Sequence, residues 1–391
     1  ISTAPNQWKN DDLLMARTRI QMELGLYAEA ETVLGQLSKE AGNSVAASLL
    51  RAELYSRFQA YDLAEEALAG GLSQDPANRR LQNTMARMYI AAGKPDLAIG
   101  ITESLFETDP LNAEAWMLWA VAHTENKSTS EAEMRLAAQQ PNSIHFQLHE
   151  ELLQVVSAYF KAHQHNDPGA LTEFELTNFP NDPTRYPAEF GYAYYQCLGT
   201  CRSQADAQQF LINITDNVQY SINLTQAAQR QNDFLLAKQI LLSIAAEQSG
   251  DPGVLDALGQ ILIRTDGPAA ESVFNDMIGM QPTSVPGRHG LALVKWRQRD
   301  FGTALALLDS LISDAARYRP GLRDRARLVA DWKGAPAAMP EYDKAEQALH
   351  NPISSSAERA LLSDTELLRS ELGYRSLSAW SAGVGQQPSP G

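Results

Sequence analysis

The residues best suited to chemistry in this sequence are four histidines and two cysteines. His145 and His149 stand four apart in "HFQLHEE", and His163 and His165 follow in "KAHQHND". Histidines four apart on a helix share a face, the geometry a metal ion needs from two imidazoles. The zinc-protease form of that pattern needs a glutamate directly after the first histidine, and Phe146 stands there. Solvated surface histidines are therefore the simpler reading. Cys197 and Cys201 are the only cysteines, too few for a zinc site or a disulfide framework, and both a local disulfide and two free thiols fit them. No phosphate-binding glycine loop, dinucleotide fingerprint or G-x-S-x-G elbow occurs. The expectation is a protein that is not an enzyme and needs no cofactor or metal.

The composition narrows the partners. The chain has 391 residues and a formal net charge of −15, from 47 acidic against 32 basic residues. Such a surface repels phosphate backbones and anionic lipid, which disfavours nucleic acid as a ligand. No apolar run approaches the ~18 residues of a membrane span, although a place in a membrane-associated complex stays open. The chain opens at Ile1, and lysine supplies only 9 of the basic residues. From these we expect a processed, extracytoplasmic or periplasmic protein, with the cytoplasm as the alternative. Triplets of the Asn-x-Ser/Thr type at Asn126, Asn213 and Asn223 are no more than chance supplies.

The elements that would position any site follow from an internal period. Ala30, Ala64, Ala98 and Ala132 are 34 residues apart, and Pro76 and Pro110 keep the same step. Twelve residues before each alanine lies another small residue: Thr18, Ala52, Ala86 and Ala120. Each unit thus reads as two helices joined by a short turn, at Gly25 in the first unit and Gly93 in the third. Small residues on both helices let their axes approach closely, and proline ends the second helix. A period of this length is the mark of stacked repeats. Later units are looser: Ala158/Ala170 after a four-residue insertion, Ala193/Ala205, Ala237, Ala270, Ala292/Ala304 and a crowded Ala326/Ala338.

On these residues, with Tyr55, Tyr61, Leu68 and Tyr89, the chain resembles the tetratricopeptide repeat family, with about nine to ten units. The resemblance implies an all-α fold, a right-handed superhelical solenoid of antiparallel helix pairs. We place an extended segment at 1–11, the array at 12–350, a capping helix at 351–375 and a disordered tail or linker at 376–391. In this family the first helix of each unit lines a concave groove that meets ligands. Carried over by spacing, that face would hold Glu53 and Arg57; Arg80, Asn83 and Arg87; Met117 and Glu125; Tyr159 and His163. It would continue through Phe190 and Tyr194, Gln226 and Arg230, and Trp296 and Arg297. The cluster of Arg57, Arg80, Asn83 and Arg87 is basic within an acidic protein and could grip a carboxylate or acidic peptide, unless neighbouring acids neutralise it. Phe190 and Tyr194 are expected to face the groove.

Three functions follow as expectations. The first is a non-catalytic scaffold that holds one or more proteins or peptides in a larger complex. The second, by similarity to periplasmic helical-repeat parts of exopolysaccharide export systems, is a role in polymer export or modification. The third is a metal-dependent enzyme on the histidine region.

Overall fold

The computed structural model describes residues 4–109, 112–137, 144–165, 168–247, 250–334, 337–338 and 340–341. Among these the protein is all-α, and its chain divides into two compact units. One unit joins the ends of the chain, 1–71 and 263–391, and the other is 72–262.

The first unit contains α1 (Ala4–Glu23), α2 (Tyr27–Leu34), the short α3 (Lys39–Gly42), α4 (Val45–Arg57) and most of α5 (Tyr61–Gln74). The second begins with α6 (Arg79–Ala91), α7 (Pro95–Thr108), α8 (Ala113–Glu125), α9 (Thr129–Ala137), α10 (Ile144–His165) and α11 (Pro168–Glu175). Two 3-10 turns at 179–185 follow. It continues with α12 (Ala188–Cys201), α13 (Gln204–Ile214), α14 (Val218–Arg230), α15 (Phe234–Glu247) and most of α16 (Pro252–Thr265). The first unit resumes with α17 (Gly267–Met280), α18 (Val285–Arg297), α19 (Phe301–Asp314) and α20 (Arg319–Lys333). Residues 4–11, expected to be extended, are the opening turns of α1. The capping helix and tail placed at 351–391 lie outside the described residues.

The alanine ladder falls where close helix packing needs it. Ala30, Ala64, Ala98, Ala132, Ala170, Ala237, Ala270 and Ala304 are fully buried, as are Ala52, Ala86, Ala120, Ala158 and Ala292 in the partner helices. The sixth pair departs from the expected register. Ala205 is exposed, and Ala207 takes the buried place, so the contact has slipped by two residues.

Two further 34-residue ladders mark the helix boundaries. Ser44, Asn78 and Asn112 each accept a hydrogen bond from the backbone N–H three residues on and cap α4, α6 and α8. The turn between paired helices uses one left-handed residue: Gly25, Gln59, Gly93 and Lys127, with φ of +72°, +53°, +69° and +56°. Glycine accepts that conformation freely, whereas glutamine and lysine are strained by it.

The first unit departs from what a linear repeat array predicts. In such an array each repeat touches only its sequence neighbours. Here Met22, Tyr27, Leu54 and Phe58 share one core with Val285, Leu308, Leu311 and Tyr318. The Val285 N–H donates to the Gly25 carbonyl at 3.1 Å and the Arg319 N–H to the Phe58 carbonyl at 3.3 Å. The Arg319 guanidinium pairs with Asp62, and both side chains are almost wholly buried. Arg317 pairs with Glu31. Helices from the two ends of the chain thus fold as one body.

Candidate partner-binding surface

In the second unit, α6 carries Arg80, Asn83 and Arg87 at i, i+3 and i+7, one face of a helix. The capping Asn78 fixes where the helix starts and hence which way that face points. Asn83 is buried and donates to Glu114 Oε2 at 2.8 Å and to Asn112 Oδ1 at 3.3 Å. Asn112 also caps α8, so the start of one repeat is locked onto the middle of the previous one. The other oxygen of Glu114 takes Arg87. Arg79 on the same helix pairs with Asp109 at 2.9 Å. Arg80 is exposed and has no ion pair among the described residues. The result is a charge lattice from which the exposed Arg80 guanidinium stands apart.

Arg57 belongs to the first unit. It lies 3.1 Å from Glu23 and 3.2 Å from Glu53, and it sits over the Tyr27 ring. Its charge is therefore taken up within its own unit. In the same unit Trp296 is half-buried, with its indole N–H donating to Asp331 at 3.0 Å. Arg297 is exposed and donates to the Ile263 carbonyl.

The aromatic middle is core, which corrects the expectation that Tyr159, Phe190 and Tyr194 line a groove. All three are buried, Phe190 completely. Tyr159 and Phe190 stack with centroids 4.1 Å apart and planes 12° apart. Tyr194 meets Phe174, Phe179 and Phe210 edge-on, at 5.2 to 5.4 Å. The reason is packing: large rings on α12 fill the space that the small residues beside them leave between α10, α11 and α13. Burial pushes the Tyr194 phenol up to about 12, with the Glu175 carboxylate adding to the effect. The Tyr159 phenol is raised further by the same cause. What remains on the face is polar: Arg230 on α14 reaches Glu189 on α12 and lies 3.7 Å from Glu125 on α8.

The candidate chemical groups resolve in part. Cys197 and Cys201 are not joined in a disulfide, and the first is buried. His163 is half-buried edge-on to Tyr159, and burial lowers its pKa. The side chains of His145, His149 and His165 lie outside the described set. Among the described residues no three His, Cys, Asp or Glu side chains are grouped to hold a metal.

One polar cluster had no counterpart in the sequence reading. In the first unit His289 Nε2 is 3.0 Å from Asp324 Oδ2, and His289 Nδ1 is 3.0 Å from the Tyr318 hydroxyl. A tautomer with its proton on Nε2 satisfies both contacts, donating to Asp324 and accepting the Tyr318 O–H at Nδ1. The order Tyr–His–Asp resembles a catalytic relay, but all three residues are buried. It acts as a buried lock between α18 and α20. The sequence signal for it, His289 and Asp324 separated by 35 residues, is about one repeat and easily missed.

The profile of the tetratricopeptide repeat family matches residues 21–88 and 55–122. No curated protein matches the chain. Solved structures that the chain is similar to include the APC/C hetero-tetramer Cut9–Hcn1, 14% identical, with a TM-score of 0.36 over 88% of this chain and 69% of that one. A tetratricopeptide repeat protein from Parabacteroides merdae is 13% identical, with a TM-score of 0.37 over 82% of this chain and 98% of its own. Yeast Tom70 is 11% identical, with a TM-score of 0.30 over 97% and 99%. At such scores the superpositions are loose, and nothing about partners passes across them. Over residues 21–122 the matched period, the buried alanines and the capped helix pairs are those of tetratricopeptide repeats.

Proposed function

We propose that this protein is a non-catalytic scaffold that holds a partner protein through an acidic peptide segment, with Arg80 as the entry contact. The observation that carries the reading is the α6 face. Asn83, Asn112 and Glu114 form a fixed lattice that occupies Arg87, while Arg80, on the same face, is exposed and without an ion pair among the described residues. A guanidinium held on a rigid helix binds a carboxylate through parallel charge-assisted hydrogen bonds. Recognition would combine that contact with the polar face around it.

The test is fluorescence anisotropy with a labelled oligoglutamate peptide at low and moderate salt. Arg80→Ala should weaken binding by about tenfold or more, the loss of a hydrogen bond to a charged group. Arg297→Ala, in the other unit, should leave it unchanged. Equal affinity for wild type and Arg80→Ala would sink the proposed site.

A further inference from the structure

In the first unit, α1 is apolar on two opposite sides. Its inward side puts Met15 and Met22 against the shared core. Its outward side carries Leu13, Ala16, Arg17 and Ile20 at i, i+3, i+4 and i+7, one stripe of a helix. All four are exposed, Leu13 at 69% and Ile20 at 61%. The other exposed large apolar side chains described in this unit are Met280 and Trp332, and Trp332 already stacks on Phe301. Arg17 stands between Leu13 and Ile20 and has no ion pair among the described residues. Asp12, Arg19 and Glu23 line one edge of the stripe, where Glu23 takes Arg57.

We propose that residues 357–372 of the same chain, in the helix expected there from the sequence, dock along this stripe. The pattern of that segment, "AERALLSDTELLRSEL", is the first reason. On a helix Leu361, Asp364 and Leu368 fall at i, i+3 and i+7, with Leu372 one turn further on the same face. That is the α1 stripe with the charge reversed. Laid antiparallel, Leu361 and Leu368 meet Ile20 and Leu13, and Asp364 meets Arg17. The segment as a whole is acidic, with Glu358, Asp364, Glu366 and Glu371 against Arg359 and Arg369.

Reach is the second reason. The described chain ends in the same unit, where Ala338 shares the core with Met22 of α1 and Glu341 pairs with Arg325. Residues 342–356 extend up to ~50 Å, more than the ~40 Å width of a compact body of about 150 residues. A tethered segment acts at an effective concentration in the millimolar range, which favours it over a partner from solution. A repeat array needs a terminal element with one polar face, and the outward side of this helix pair would supply it.

Hydrogen exchange of the full chain, read by mass spectrometry over residues 357–372, tests the proposal. A helix of this length is marginal in water by itself, so lasting protection reports docking. In the wild type these amides should exchange about tenfold or more slowly than in an unfolded peptide. The protection should be the same at protein concentrations about fiftyfold apart, as expected for a contact within one chain. Leu13→Glu combined with Ile20→Glu should abolish it, while α2 and α4 stay as protected as in the wild type. Arg17→Glu should reduce it by about fivefold, the scale of an exposed ion pair, and Asp364→Arg added to Arg17→Glu should restore it. Rapid exchange of 357–372 in the wild type overturns the proposal. Protection that survives the double substitution on α1 overturns it by placing the segment elsewhere. Protection that falls on dilution overturns it in favour of a second copy.

Discussion

Glycine-to-alanine substitutions in the helix-to-helix turns should separate backbone strain from packing. Gly25 and Gly93 hold equivalent positions with nearly the same left-handed φ, +72° and +69°. An alanine there incurs a strain of about 1–2 kcal/mol. Its smaller loss of chain entropy on folding returns about 0.5–1 kcal/mol. The bare turn therefore costs about 1 kcal/mol net. At Gly93 the new methyl has nothing within 4 Å, so that figure is the whole effect. At Gly25 it meets Pro286 Cδ at 3.1 Å, and Pro286 Cγ and Ser284 Oγ at 3.3 Å. A proline ring cannot rotate away, and the Val285 N–H already ties this backbone to the Gly25 carbonyl. Overpacking of this kind adds about 1–3 kcal/mol. Gly25→Ala should thus cost about 2–4 kcal/mol, two to four times the loss at Gly93. Gln59→Gly and Lys127→Gly should each gain about 0.5–1 kcal/mol by relieving the strain. Urea unfolding followed by far-UV circular dichroism measures all four. The Gly25 and Gly93 changes lie in different units, so they should move different transitions if the units unfold separately. A loss at Gly93→Ala as large as that at Gly25→Ala would refute the packing argument. Destabilisation by Gln59→Gly would refute the strain argument.

Asp62→Ala removes the carboxylate that the buried Arg319 guanidinium pairs with and should cost about 3–5 kcal/mol, read as a fall in the urea midpoint. A loss under about 1 kcal/mol would mean that solvent reaches the pair. The Asp324 carboxyl is pushed up by burial, but hydrogen bonds from His289 and Arg323 outweigh this and hold it below its usual range. A depressed folded pKa gives stability that is present above the unfolded value, about 3.9. That stability is lost as pH falls through the lower folded value. Wild type should therefore lose midpoint below about pH 4, and Asp324→Asn should show a lower but flatter profile across the same window. An equally steep profile in Asp324→Asn would assign the acid sensitivity to other carboxylates.

The sequence alone determined the repeat. Small residues 34 apart are set by how closely two helices can approach, a local demand that every unit repeats, so Ala64 and Ala98 could be placed without coordinates. Helix ends were legible for the same reason, since the terminating Pro76 and turns such as Gly93 act on their own neighbours, whereas the caps at Asn78 and Asn112 appeared only in the structure. The sixth unit escaped because a slip from Ala205 to Ala207 leaves the local pattern almost unchanged. Side-chain facing was less legible still. On one helix Arg80 and Arg87 look alike, and only Glu114, from the next repeat, makes one of them occupied and the other not. Phe190 and Tyr194 read as surface aromatics by position, and the rings packed around them made them interior. Tertiary structure alone decided the first unit, where Asp62 meets Arg319 and Gly25 meets Val285. A repeat pattern encodes contacts one period away, whereas a core shared by the two ends of the chain depends on where the intervening helices deliver them, which no local spacing records.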